Sequence, residues 1–196
     1  MLAEALRAYR DDATAVVLGV PRGGVIVAAE VARAFGSPLD VVMASKLGAP
    51  GNPEYAVGAI DEDGTIIASQ SVSVSTEYLE AAALERHAEI MRRVAVYRGG
   101  RPSVDVTGRT AIVVDDGIAT GLTVRAAVSF LKRHGAARIV VCAPVMPPGT
   151  KAELGQIADD VVALEIPQGF SAVGQFYADF TQTSDAEVVA ALSDRP

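Results

Sequence analysis

The sequence predicts an α/β fold, a central parallel sheet flanked by helices with an added hairpin. Three observations point there. Apolar residues come in short β-branched runs separated by alanine-rich stretches of helical spacing, the alternation of a sheet buried on both faces. Gly36 and Gly135 close two of the helical stretches, as glycine does at helix C-termini. Half of the 196 residues are apolar, enough to bury a full core without disulfide or metal staples.

In chain order, residues 1–9 are amphipathic and lack the basic start and continuous apolar stretch of a signal peptide. Residues 15–19, 39–44, 110–114, 139–143 and 161–164 read as buried strands, and 25–35, 122–134 and 150–157 as helices. Within 56–69, two β-rich pieces flank the turn-forming Asp61-Glu62-Asp63-Gly64, which reads as a hairpin beside the parallel core. Residues 75–97 carry Thr76, Leu79, Ala83, Arg86, Ile90, Arg93 and Tyr97 at helical spacing and form the longest expected helix. Arg98-Gly99-Gly100-Arg101-Pro102 ends it. With no linker, repeat or low-complexity tract in the sequence, residues 1–196 are expected to form a single domain.

Composition excludes several classes. The chain carries 24 acidic and 17 basic side chains, a net charge of −7, which disfavours nucleic acid as a partner. Its apolar runs fall far short of the ~20 residues that span a bilayer, so no membrane partner is expected. Cys142 is the one cysteine and makes no internal disulfide; its apolar neighbours predict a buried thiol in a reducing, cytoplasmic setting. Arg86, Arg92, Arg93, Arg98, Arg101 and Arg109 concentrate positive charge in mid-chain and read first as a solvated helix face partnered by Glu85 and Glu89. His87 and His134 lack metal-ligand spacing and are assigned no chemistry.

The chemistry concentrates in Ile112-Val113-Val114-Asp115-Asp116-Gly117-Ile118-Ala119-Thr120-Gly121-Leu122-Thr123. A buried strand delivers two carboxylates at its C-terminal end, where open α/β sheets place ligands. Gly117 and Gly121 let the following loop fold around an anion, the helix start presents unpaired N–H groups, and Thr120 and Thr123 add hydroxyls. The result is a cradle for a phosphate monoester. Asp115 and Asp116 accept hydrogen bonds only, so they suit neighbouring sugar hydroxyls and not the phosphate. Val20-Pro21-Arg22-Gly23-Gly24 also runs from strand to helix, giving a second anion cup with one permanent charge. Lys46 is expected to close the second strand at the same sheet edge. Residues 48–55 are too rich in Gly and Pro to read as regular structure and are expected to form a functional loop.

The segment 112–123 resembles the 5-phosphoribosyl-1-pyrophosphate (PRPP) motif of type I phosphoribosyltransferases. The remainder resembles a bacterial branch of that family with no assigned acceptor, through Val20-Pro21-Arg22-Gly23-Gly24, Lys46-Leu47-Gly48-Ala49-Pro50-Gly51-Asn52-Pro53-Glu54 and Asp179-Phe180-Thr181-Gln182-Thr183-Ser184-Asp185. The resemblance implies the type I phosphoribosyltransferase fold, with a small hood formed by 165–196 and the N-terminus, which is shorter than in relatives. It implies that Asp115 and Asp116 hold the ribose hydroxyls and that Gly117, Ile118, Ala119, Thr120, Gly121 and Thr123 bind the 5-phosphate. Gly23 and Gly24 then belong to the pyrophosphate loop, where a strained or cis peptide is common, and Arg22 and Lys46 meet the diphosphate.

The loop around Glu54 and Tyr55 is expected to close over the site, with Glu54 as general base. Phe176 and Tyr177, in a C-terminal aromatic stretch with Phe170 and Phe180, are expected to stack on the acceptor. Mg²⁺ is the implied cofactor, held mainly by PRPP and by no all-protein cage. The implied reaction is Mg-dependent transfer of the phosphoribosyl group to a nitrogenous base or amine with release of pyrophosphate. The alternatives are a PRPP-sensing regulator and a noncatalytic binding module. A homodimer through the 75–97 helix is a further expectation.

Overall fold

The computed structural model describes residues 1–69, 72 and 74–194, apart from the side chains of Pro53 and Glu54. After a short helix α1 (Leu2–Ala5), the chain enters β1 (Ala15–Gly19), α2 (Gly23–Phe35) and β2 (Leu39–Val41), a right-sized βαβ unit. It then leaves the main sheet for β3 (Ala44–Ala49), β4 (Asn52–Asp61) and β5 (Ile66–Ala68), which form an antiparallel sheet of their own. The long α3 (Thr76–Arg98) returns it to β6 (Thr110–Val114), α4 (Leu122–Arg133), β7 (Arg138–Val145), α5 (Pro148–Leu154) and β8 (Asp160–Glu165). Finally α6 (Asp185–Ser193) closes the described chain.

The five parallel strands lie in the order β2-β1-β6-β7-β8. Successive residues of each strand face opposite layers, as the pleat requires. Val17, Ile112, Val114, Val140 and Cys142 pack with α2, α3 and α6, while Val16, Leu18, Val113, Val141 and Ala143 pack with α4 and Leu154 of α5. That two-sided burial is why these strands are unbroken apolar runs in the sequence. Helix α1 rests on α2, β7 and β8, and α6 lies against α2 and α3 with Val188 and Leu192 in the core. Among the described residues no helix is long and apolar enough to cross a membrane.

Three expectations change. Residues 39–44 are not one strand. Val42 N–H still bonds to Gly19 O at 3.1 Å, but pairing then stops and Ala44 starts β3 in the second sheet. Val42 and Met43 are buried in the crossing, so the apolar run hides the break. Residues 48–55 are not a loop either. They are the tip of the β3–β4 hairpin, turning at Pro50-Gly51 with Gly51 at φ +73°, and register shifts beside Gly48 account for the glycine there.

The third change concerns Arg98, which belongs to no solvated face. Its side chain is 7% exposed and its guanidinium joins three elements. Nε meets Asp40 Oδ1 at 3.4 Å, Nη2 donates to Val41 O at 3.2 Å, and both Nη groups meet the carboxylate of Glu62 in the β4–β5 turn. Asp40 also accepts the Val41 and Val104 N–H groups at 2.8 and 2.9 Å. Arg133, at the end of α4, grips the same turn through Asp61 at 2.7 Å and Asp63 at 3.1 Å. The small sheet is therefore clamped between α3 and α4, beside the C-terminal ends of β1 and β6.

Candidate active site

Strands β1 and β6 are neighbours with Gly19 opposite Val114, so the two glycine-bearing loops that follow them emerge side by side. Val20 N–H bonds to Val114 O at 2.8 Å, tying the first loop to the base of the second. The loops then press together. A Cβ on Gly23 would lie 1.9 Å from Asp116 Oδ2, and one on Gly24 would lie 2.8 Å from Val114 O and 3.0 Å from Asp115 Oδ1. Any side chain at either position would displace the acidic pair. The Pro21–Arg22 peptide is cis, at the loop where the sequence resemblance implies a strained or cis one.

Asp115 and Asp116 are half-buried, and Asp115 Oδ1 accepts the Asp116 N–H at 2.9 Å. Burial raises the pKa of both carboxyls. Asp115 is raised well above the usual carboxylate range, with the charge of Asp116 adding to the effect. The pair is thus short of positive or donor groups, a state that hydrogen-bond donors on a ligand would relieve.

The second loop is shaped from behind. Ile118 is buried and its N–H bonds to Val145 O at 3.0 Å. Thr150 Oγ1 donates to Ala119 O at 2.5 Å, and Gly121, at φ +72°, passes within 3.0 Å of the Thr150 methyl if given a Cβ. Thr120 is exposed and Thr123 half-buried on the first turn of α4. These contacts fix the loop at the start of α4, where backbone N–H groups lack intrahelical partners.

The C-terminal aromatic stretch reaches the same place. Tyr177 hydroxyl donates to Asp116 O at 2.5 Å, and Val173 packs so closely on Gly117 that a Cβ there would meet its methyl at 2.3 Å. Burial, with help from Asp116 and Asp115, pushes Tyr177 up to about 12 and keeps it a donor. Phe176 stacks on Phe170 with centroids 5.6 Å apart, and Phe180 leans on Tyr177 at 5.2 Å. Tyr177 therefore braces the acidic loop with its hydroxyl.

Arg22 stands at the N-cap position of α2 with its Nη1 4.0 Å from Asp185 Oδ1, an oxygen that also accepts the Tyr97 hydroxyl at 2.6 Å. Lys46 sits on β3, not on the parallel sheet, yet it shares a cavity with Pro21 and Thr123. Glu54 lies on β4, and its side chain is outside the described residues. Its neighbour Tyr55 lines a cavity of about 640 Å³ with Ala119, Thr120 and Thr150, so the β3–β4 hairpin does flank the second loop. Thr150, Val173 and Asp185 enter the site without having been singled out. Only Asp185, within the 179–185 motif, carried a signal in the sequence. Among the described residues no group of three or more His, Cys, Asp or Glu side chains is arranged to hold a metal.

A parallel α/β domain with two helix-start loops meeting at an acidic pair is the class that fold and geometry define. The chain belongs to the phosphoribosyl transferase domain family, whose model matches residues 1–181. It is 48% identical over 182 residues to the Mycobacterium tuberculosis H37Rv protein named "Putative phosphoribosyl transferase Rv0571c", and equally so to its counterpart in strain CDC 1551. The match covers 90% of this chain and 41% of those proteins, so the chain spans about two fifths of the curated relatives' length. The crystal structure of TT1426 from Thermus thermophilus superposes with a TM-score of 0.82 at 44% identity, covering 97% of this chain and 92% of that one.

Proposed function

We propose that this domain binds PRPP and transfers its 5-phosphoribosyl group to a nitrogenous acceptor, releasing pyrophosphate. The observation that carries this reading is the packing of Gly23 and Gly24 against Asp115 and Asp116. It joins two anion-binding helix starts through one acidic pair, which suits a sugar carrying hydroxyls in the middle and phosphate at both ends. The loop from Gly117 to Thr123 takes the 5-phosphate on backbone N–H groups and the Thr120 and Thr123 hydroxyls. Asp115 and Asp116 accept the ribose hydroxyls, and the loop from Pro21 to Gly24 with Arg22 and Lys46 takes the diphosphate.

The acceptor nitrogen attacks carbon 1 as the bond to pyrophosphate breaks. Holding the developing negative charge of the leaving group is the main task of Arg22 and Lys46. Glu54 is assigned the acceptor's proton, and the β3–β4 hairpin that carries it shields the cationic ribosyl centre from water. Mg²⁺ would be held mainly by the hard oxygens of PRPP itself, since among the described residues no group of three or more His, Cys, Asp or Glu side chains is arranged to hold a metal. When bound there, the ion supplies neutralisation of the diphosphate. Acidic residues crowd the chain beyond Lys151, which favours a neutral or cationic acceptor over an acidic one.

Two measurements test this. PRPP with Mg²⁺ is expected to raise the melting temperature, and pyrophosphate release is expected with at least one member of a panel of bases and amines. Replacing both acids, Asp115→Asn with Asp116→Asn, is expected to abolish PRPP binding in a folded protein. No thermal shift with PRPP in the unmodified protein overturns the proposal, and shift without turnover on any acceptor makes it a binding module instead.

A further inference from the structure

Helix α3 has two apolar sides. One is held inward against β3, β4 and α6, with Ala83, Ile90 and Tyr97 buried. The other faces solvent. Ala81, Leu84, Ala88, Met91 and Ala95 are all exposed, Leu84 at 76% and Met91 at 47%. Their spacing alternates between three and four residues, the repeat that lays one stripe of a helix against a second helix. At 1.5 Å per residue the stripe runs about 21 Å, nearly four turns. One apolar side is enough to join a core, and a second left in water is unfavourable until something covers it.

The order of residues in the stripe fits it to itself. Small side chains stand at 81, 88 and 95 and large ones at 84 and 91. When a second α3 runs antiparallel about a two-fold axis between Glu89 and Ile90, Leu84 falls opposite Ala95 of the partner subunit and Met91 opposite Ala88 of the partner subunit. The two-fold repeats both pairs. Each large side chain thus meets a small one, which lets the helix axes approach to ~8 Å, the close end of helix packing. A parallel pairing instead sets leucine on leucine and alanine on alanine, in layers of unequal width.

The charges along one edge agree. Glu85 and Arg92 each follow a large residue of the stripe, so they share that edge. Antiparallel pairing brings Glu85 against Arg92 of the partner subunit, twice per dimer. The Arg92 side chain is 53% exposed, and Glu89 at 2.7 and 2.9 Å with Asp185 at 3.5 Å sets where its guanidinium stands. Among the described residues Glu85 makes no ion pair.

We infer that the exposed stripe of α3 is the contact between two copies of this chain, packed antiparallel across a two-fold axis. Size order and charge order both match a copy of this same helix, which is what a self-complementary interface requires. The inference is independent of the PRPP reading.

Analytical ultracentrifugation of the full chain over a concentration series is expected to show twice the 20.3 kDa chain mass, falling to the chain mass on dilution. Leu84→Glu with Met91→Glu is expected to show the chain mass at every concentration, with an unchanged circular dichroism spectrum because both side chains stand in solvent. Orientation is read by oxidative cross-linking with copper phenanthroline, in which the buried Cys142 takes no part. A mixture of the Leu84→Cys and Ala95→Cys variants is expected to form a disulfide-linked dimer. Neither variant is expected to do so alone, since like positions then stand about 16 Å apart along the axes, beyond disulfide reach. The cross-link also decides the matter should the glutamate pair disturb folding. A monomer at all concentrations in the unmodified chain overturns the inference, as does a dimer that the glutamate variant leaves intact. Cross-linking of either cysteine variant with itself overturns the antiparallel arrangement and, with it, the pairing of Glu85 with Arg92.

Discussion

Gly117 shows how a residue's role differs from the one its type announces. In the sequence it reads as a glycine that lets a loop fold tightly, and that reason holds for Gly121, which sits at φ +72°. Gly117 has an ordinary φ. Its constraint is contact, because Val173 approaches from 56 residues away in the chain and occupies the space of a side chain. No local pattern encodes such a contact. Gly117→Ala is therefore expected to push the Val173–Phe176 turn off the loop, costing about 1–3 kcal/mol of stability and weakening PRPP binding as the Tyr177 brace on Asp116 shifts. Adding Val173→Ala removes the two closest methyl groups and is expected to restore much of both. Denaturant titration of the single and double variants checks this, and additive losses would refute it.

At the scale of elements, β1, α2, β6 and α4 were legible to within two residues because each obeys a local rule. The strands are short β-branched runs, and Gly36 stops α2 in the left-handed conformation. The acidic pair and both loops were legible for the same reason, since strand end, glycine and helix start are consecutive in sequence. The small sheet was only half legible. Its β4–β5 hairpin announces itself through Asp61-Glu62-Asp63-Gly64, but β3 shares an apolar run with β2 and turns on Pro50-Gly51, so it read as strand and loop. What holds that sheet in place is long-range. Arg98 reaches Asp40 across 58 residues and Glu62 across 36. Arg98→Ala leaves Asp40, 2% exposed, without its cation and is expected to cost about 3–5 kcal/mol. Arg98→Met with Asp40→Asn removes both charges and is expected to recover part of that loss in the same denaturation measurement.

Over the whole molecule, two sets of carboxylates set opposite demands on pH. Arg92 and Arg93 hold Glu89 down to about 2, and the hydroxyl of Tyr97 with the nearby arginines holds Asp185 below its ordinary range. Asp12 and Asp63 are lowered as well, by hydrogen bonds from Thr14 and from His134 with Arg133 that outweigh burial. These groups favour the folded chain above the ordinary carboxylate range, and that contribution disappears as pH falls from about 4.5 toward 2. Asp115 and Asp116 act the other way. Their folded pKa values are raised, so the folded chain holds protons that the unfolded chain has released, and their contribution is fully present below 3.8 and lost as pH rises through the raised values. Self-repulsion from the net charge of −7 also eases as pH falls. The melting temperature of the unliganded chain is therefore expected to rise as pH falls through the raised values of the acidic pair and to collapse below about 4, where the lowered carboxylates lose their partners. In Asp115→Asn the rise on the acid side should flatten, and the variant should melt a few degrees higher than the unmodified chain at pH 7 while failing to bind PRPP. A melting temperature that only falls on acidification from neutral pH, or a variant that melts lower at pH 7, would show that the acidic pair is not held against its own burial. The instability at the candidate site would then have another source than the charge that PRPP hydroxyls are proposed to relieve.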